Sequence, residues 1–216
     1  MKKTFAVIGL GRFGEAVARQ LAAQGKEVLV MDQSEEPVQK LSDIVTHAVV
    51  ADAKDISVLK SLGIGEFDSV IVAIGSDVAS SIIITVQLKE LGVREIVCKA
   101  GSDIHKQALL KVGADKVIIP EKEMGIKVAQ NLASQNVMDF IELSEDYSIM
   151  ELLAPEPWQF KNLRELNIRA RYDVSVIAMR RGTKILVSPG ADEIVQPGDI
   201  LVALGGVEAL SAISDL

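Results

Sequence analysis

The sequence predicts an α/β fold, a Rossmann-like doubly wound parallel sheet followed by a second, smaller α+β domain. Three observations carry this expectation. Strand-sized apolar runs alternate with helix-periodic segments through residues 1–135. Glycines punctuate the ends of those helical segments. From residue 136 onward strand patterns dominate, with Pro155, Pro157, Pro189 and Pro197 between them as turn or loop markers.

In the first domain, strands are expected at residues 4–8, 27–31, 47–50, 69–73, 95–99 and 116–119, and helices at 12–23, 35–41, 56–62, 78–91, 104–112 and 122–135. Strict alternation of strand and helix implies right-handed crossovers and a parallel sheet. Val70-Ile71-Val72-Ala73 is apolar on both faces, as a strand covered by helices on both sides must be. Gly25, Gly63 with Gly65, Gly92 and Gly113 each follow a helix as its stop.

The second domain, 136–216, carries expected strands at 137–143, 147–153, 174–180, 184–187 and 200–204, with short helices at 162–166 and 207–214. A domain this small buries limited surface and is often stabilised by pairing with a copy of itself. The helix 122–135 links the two domains. Its apolar Ile126, Val128, Ala129 and Leu132 either close the sixth strand-helix unit or pack on another subunit.

Composition narrows the function. Apolar residues make up 49% of the chain, enough for a sizeable core. A formal charge of −7 argues against a nucleic-acid partner, which needs a basic face. Cys98 stands alone in an apolar run and reads as a small core residue. The opening segment lacks the pattern of a signal peptide, and there is no run of about 18 apolar residues that could span a membrane. The expected location is the cytoplasm.

The most informative segment is Phe5-Ala-Val-Ile-Gly-Leu-Gly-Arg-Phe-Gly14, followed by Asp32 at the end of the next apolar run. Gly9 permits a tight turn, Gly11 lets a pyrophosphate approach the backbone, and Gly14 allows close helix-strand packing. The helix that starts at Arg12-Phe13 offers free N–H groups and positive dipole charge to phosphates. Asp32 lies at the spacing of the carboxylate that holds ribose hydroxyls, and it would repel a 2′-phosphate. Arg12 stands at the mouth of the phosphate site, where a guanidinium favours the terminal phosphates of ATP or ADP over NAD; its plainer role is a solvated arginine.

Other candidates sit at the carboxyl edge of the predicted sheet, where ligands of open α/β sheets bind. They are Asp52 and Ala53 after the third strand, Ile74 and Gly75 after the fourth, and Lys99 at the end of the fifth. Asp52 and Asp55 read equally as helix caps, and Lys99 equally as a solvated strand end. Glu121, after Pro120, either answers the helix dipole or contributes to a divalent-cation site. The only histidines are His47 and His105, the latter in a polar helix start, and no ligand cluster or nucleophilic triad accompanies them. A nucleotide site without visible catalytic residues suggests a sensor, not an enzyme. The alternative is an NAD-dependent oxidoreductase, which would need a substrate pocket with a proton donor. In the second domain, Arg169 could meet phosphate, while Ile168 and Ile177 read foremost as core, with Pro189 nearby.

The ordered series Gly9-Leu-Gly-Arg-Phe-Gly14, Asp32, Ala51-Asp-Ala53, Lys99-Ala100 with His105, and Pro120-Glu121 resembles the regulatory subunits of Ktr/Trk potassium-uptake systems. Residues 166–205, with Pro189-Gly-Ala-Asp192 and Pro197-Gly-Asp199, resemble their TrkA-C domain. The resemblance implies an RCK (TrkA-N) domain followed by TrkA-C. It also implies a homo-oligomer, a dimer built into an octameric ring, that docks on the inner face of the membrane against a potassium-translocating subunit. Members bind ATP or ADP, some bind NAD or NADH, and ATP generally favours the active ring. Carried over by position, Gly9, Gly11, Phe13, Gly14, Ile74, Gly75 and Lys99 would surround the nucleotide. Arg12 would contact phosphates, Asp32 the ribose, and Asp52 with Ala53 the adenine. Glu121 would serve a cation beside the terminal phosphate. Ile168, Arg169, Ile177 and Pro189 would fall in the region that binds cyclic di-AMP in some members.

Overall fold

A computed structural model describes residues 3–133, 137–144, 146–214 and 216. The chain divides into two compact units, Met1–Glu121 and Lys122–Leu216. The expected domain boundary at 135/136 and the last two residues of the expected linking helix lie outside the described residues.

The first unit contains β1 (Thr4–Ile8), α1 (Arg12–Ala23), β2 (Glu27–Asp32), α2 (Glu35–Gln39), β3 (His47–Val50), α3 (Ile56–Ser61), β4 (Ser69–Val72), α4 (Val78–Glu90), β5 (Ile96–Lys99), α5 (Asp103–Lys111) and β6 (Lys116–Ile118). The six strands form one parallel sheet in the order β3-β2-β1-β4-β5-β6. Every strand and helix expected here is present, with ends that agree or differ by at most two residues.

Side chains alternate across a strand, so each central strand feeds two cores. Ala6, Ile8, Leu29, Met31, Val70 and Val72 enter one, packed with Leu59, Ile84 and Leu88 from the helices. Val7, Val28, Val30 and Ile71 enter the other, against Ala18, Val38 and Leu41. This double burial is why the strands read as continuous apolar runs. The strand order reverses direction between β1 and β4. Ligand crevices of open α/β sheets form at such a switch point.

Helix α6 (Pro120–Ala133) starts in the last two residues of the first unit and continues into the second. It begins two residues earlier than expected because proline, with φ already helical and no N–H to lose, suits the first position of a helix.

The second unit holds β7 (Val137–Glu142), β8 (Tyr147–Leu153), α7 (Leu163–Leu166), α8 (Ile168–Tyr172), β9 (Val174–Arg181), β10 (Lys184–Val187), β11 (Ile200–Gly206) and α9 (Val207–Ser214). Its strands form an antiparallel sheet ordered β10-β9-β11-β8-β7. The core gathers Leu152, Trp158, Met179, Leu201, Leu210 and Ile213. Helix α8 is not foreshadowed by a periodic pattern. Asn167 and Asp173, both left-handed at φ +44° and +54°, bracket it. Short polar side chains tolerate that conformation best. Ile177 is the extra residue of a bulge, since Val176 and Ala178 pair with the adjacent residues Ala203 and Val202 of β11.

One ion pair, between a buried carboxylate and a half-exposed guanidinium, ties the second unit together. Asp199 is 1% exposed, and Arg181 grips it with two parallel bonds of 2.8 Å, Nε to Oδ1 and Nη2 to Oδ2. Arg181 also bonds Glu193 and the Ile194 carbonyl, and the Gln196 N–H donates to Asp199. Burial pushes the Asp199 carboxyl up, but the Arg181 and Gln196 bonds and the guanidinium charge outweigh it and hold it below its ordinary range.

Candidate functional site

The turn after β1 is built by its glycines. Gly9 sits at φ +91°, and a Cβ there would lie 2.8 Å from Ile74 Cγ1. Gly14 packs so closely on the turn that a Cβ would overlap the Gly9 carbonyl oxygen. Both positions therefore exclude side chains on steric grounds. Gly14→Ala is expected to cost about 1–3 kcal/mol through the backbone shift it forces, read as a lower urea midpoint with an unchanged m-value.

Gly11 differs from both. A Cβ there would meet nothing within 4 Å, so the turn faces open space at this residue. Gly11 is also the N-cap of α1 and supplies no side-chain cap. Helix geometry leaves the first-turn N–H groups of Arg12, Phe13 and Gly14 without intrahelical acceptors. These donors and the positive end of the helix dipole suit a phosphate group. The Arg12 side chain is exposed, while Phe13 is half-buried against the core of one sheet face and anchors the helix start.

Asp32 ties the turn to the end of β2. Its Oδ2 accepts the Leu10 N–H at 2.6 Å and its Oδ1 accepts the Ser34 N–H at 2.9 Å. The carboxylate is thereby fixed in orientation, with lone pairs left for hydroxyl donors. Beside it lies a cleft of about 230 Å³ lined by Ile8, Gly9, Met31, Asp32, Ala51, Ala53 and Ile74, with Gln33, Ser34, Lys54, Asp77, Ser80 and Ile84 completing the wall. Mixed apolar walls with a few fixed polar groups suit a nucleoside.

The remaining candidates fall in two places. Asp52 adjoins the cleft in sequence, but its carboxylate accepts the Lys54 N–H at 2.9 Å and lies 3.6 Å from the Lys54 ammonium. That backbone bond chiefly holds Asp52 below the usual carboxylate range. Ala53, not Asp52, forms the wall. Gly75 lies under the Lys99 side chain, where a Cβ would stand 3.1 Å from Lys99 Cε. Lys99, its side chain 17% exposed, reaches Glu121 Oε1 at 2.6 Å. This hydrogen bond first, and the Lys99 and Arg12 charges among further causes, hold the Glu121 carboxyl below its ordinary range. Among the described residues no group of three or more His, Cys, Asp or Glu side chains could hold a metal ion. Glu121 could offer one carboxylate, so a cation there would take its other ligands from phosphate oxygens and water.

Two wall residues, Ser80 and Ile84, were not singled out in the sequence; they stand one turn apart on α4, which Asp77 caps by accepting the Ser80 N–H at 3.0 Å. His105, expected in a polar helix start, is buried instead. Its Nδ1 accepts the Gly101 N–H at 3.2 Å and its Nε2 lies 2.7 Å from Ser81 Oγ, so it fastens α5 to α4. Burial lowers its pKa, and an Nδ1 that accepts a hydrogen bond carries no proton.

In the second unit, Ile168 is 5% exposed and belongs to the core. Arg169 is exposed on α8, Ile177 occupies the bulge of β9, and Pro189 is half-buried two residues beyond β10. The Ile177 carbonyl accepts the Ser188 N–H, next in sequence to Pro189.

A glycine turn at a helix N-terminus, a ribose-type acid and an apolar cleft at a sheet switch point define a Rossmann-type nucleotide-binding domain. Residues 5–120 match the TrkA-N domain and residues 149–216 the TrkA-C domain. The chain belongs to this TrkA-N/TrkA-C family of potassium uptake proteins. It is 46% identical over 211 residues to the Ktr system potassium uptake protein C of Bacillus subtilis, covering 98% of this chain and 96% of that one. Identity to the Ktr system potassium uptake protein A of the same organism is 44%, over 94% and 91% of the two chains, and to the Vibrio alginolyticus Ktr system potassium uptake protein A 34%, over 97% and 95%. The RCK domain of GsuK superposes with a TM-score of 0.71 at 19% identity, covering 99% of this chain and 47% of that one, a likeness of fold. The NAD(P)-binding domain of an exopolyphosphatase-related protein from Archaeoglobus fulgidus matches with a TM-score of 0.53 at 27% identity, over 60% and 96% of the chains. The full-length relatives are potassium uptake proteins, which sets the oxidoreductase reading aside. Among the described residues no helix is long and apolar enough to cross a membrane.

Proposed function

We propose that this chain is a nucleotide-sensing regulatory subunit that binds ATP or ADP in its first domain and gates a membrane potassium-translocating partner. The observation that carries this reading is the open face at Gly11. Gly9 and Gly14 are required by packing, whereas the space beside Gly11, in front of free helix N–H groups, serves a ligand. Asp32 holds the ribose, the Ala53–Ile74 cleft takes the adenine, and Arg12 and Lys99 answer phosphate charge. NAD or NADH would use the same turn and acid, as the likeness to an NAD(P)-binding domain supports.

The nucleotide acts as a signal and is not consumed. A ligand shifts a two-state protein only by its differential affinity, and a tenfold preference contributes about 1.4 kcal/mol per site. Repetition of the site in a homo-oligomer, an octameric ring by family resemblance, multiplies that bias. The subunit would then lie in the cytoplasm, held on the inner membrane face by its partner. Glu121 serves a divalent cation beside the terminal phosphate, and the surface around Arg169, Ile177 and Pro189 is the place to look for cyclic di-AMP.

Calorimetry on Arg12→Ala tests the phosphate assignment. ATP affinity is expected to fall roughly tenfold, as for loss of one charge-assisted contact, with adenosine unchanged; equal losses for both ligands would overturn it. A thermal-shift panel of ATP, ADP, NAD, NADH and cyclic di-AMP ranks the ligands, because those that bind the native state raise its melting temperature.

A further inference from the structure

The ion pair between Lys99 and Glu121 does more than decorate the surface. Lys99 is the last residue of β5, at the carboxyl edge of the sheet. Its stem lies across Gly75, whose missing side chain gives it room, and it is largely buried for a lysine. The ammonium is thus held in place and not free to sweep through solvent. Glu121 is the last residue of the first unit and lies in the first turn of α6, whose remaining turns belong to the second unit. Gly75 follows Ile74, whose Cγ1 would stand 2.8 Å from a Cβ at Gly9, so the pair lies on the sheet edge that carries the glycine turn.

Two anions can therefore claim one ammonium. From these positions we propose that Lys99 is a shared cation, bonded to Glu121 at the head of α6 and drawn off by the phosphates of a nucleotide in the glycine turn. Phosphate binding breaks the Lys99–Glu121 bond and frees a carboxylate at the start of the helix that leads into the second unit. This rests on the nucleotide reading above and adds the route by which phosphate occupancy reaches α6. Lys99 meets the phosphate itself, and Glu121, acting through Lys99, is the positioning residue. Adenosine, without phosphates, leaves the pair intact.

The competition is measured by calorimetry of ATP and adenosine in EDTA, which removes any divalent cation, on wild type, Glu121→Gln, Lys99→Met and the double variant. Glu121 is exposed, so Glu121→Gln folds normally, and adenosine affinity reports an intact cleft in each protein. Glu121→Gln is expected to tighten ATP roughly three- to fivefold, the worth of a well-formed ion pair, and to leave adenosine unchanged. In the Lys99→Met background the same change is expected to do nothing. A gain that persists without Lys99 would mean that Glu121 merely repels phosphate, and would overturn the proposal. So would a loss of ATP affinity, or no change, in Glu121→Gln. Hydrogen exchange over residues 119–126 gives an independent reading: ATP should speed exchange in wild type, and Glu121→Gln should show the faster rate before ATP is added. Failure of the wild type to bind ATP at all would instead sink the nucleotide reading, a distinguishable result.

Discussion

Arg181→Ala is expected to destabilise the second unit by about 2–3 kcal/mol, less than the roughly 3–5 of a fully buried ion pair because the arginine is half exposed. Asp199 is 1% exposed and would keep its Gln196 N–H bond but lose both guanidinium contacts. The half-exposed arginine itself leaves only a small cavity, so the lone carboxylate carries most of the loss. The sign of the pH dependence separates these terms. In the wild type the folded-state pKa of Asp199 is depressed, so its contribution is present above the unfolded carboxylate range and lost as pH falls through the folded value. In the variant burial acts with less opposition and raises the pKa. The variant is then penalised at neutral pH and relieved as the carboxylate takes up a proton in mild acid. Urea midpoints for the two proteins should therefore converge between pH 7 and pH 4. A constant gap would assign the loss to packing instead.

Asp32→Ala is expected to weaken adenosine and ATP alike, by roughly 10- to 100-fold, the worth of charge-assisted bonds to ribose hydroxyls. The same substitution strips the buried Leu10 N–H of its acceptor, at a cost of about 1–3 kcal/mol in stability. Asp32→Asn is no gentle substitute. Two N–H donors, from Leu10 and Ser34, face the two carboxylate oxygens, and an amide must turn its NH2 toward one of them. Calorimetry with both ligands, beside urea unfolding, checks the pair of effects. Loss of ATP affinity alone, with adenosine unaffected, would remove Asp32 from the ribose and leave it a structural tie.

Much of the first unit was legible because its signals are local. Residues such as Val7 and Ile8 face opposite cores one residue apart, and that double burial writes an unbroken apolar run into the sequence. The glycine turn and Asp32 are likewise close along the chain, with spacing set by one strand-turn-helix unit. The second unit was less transparent. Helix α8 is a five-residue segment between two left-handed residues, too short for a periodic pattern. His105 read as part of a polar helix start because the partner that explains its burial, Ser81, is 24 residues away on another helix. Asp52 and Ala53 could not be told apart by position, since which of two neighbours faces a cleft depends on how the chain turns.

What the sequence determined unaided is the alternation of strand and helix, the place of the phosphate turn, and the acid that ends β2. Each depends on residues within one turn or one crossover of each other, where periodicity and glycine sterics act directly. Tertiary structure alone decided that Lys99 meets Glu121, that Arg181 closes on Asp199, and that Gly11 of the three glycines is the one facing open space. Those facts depend on the side chains that distant segments bring to one point, and packing, not spacing along the chain, sets that meeting.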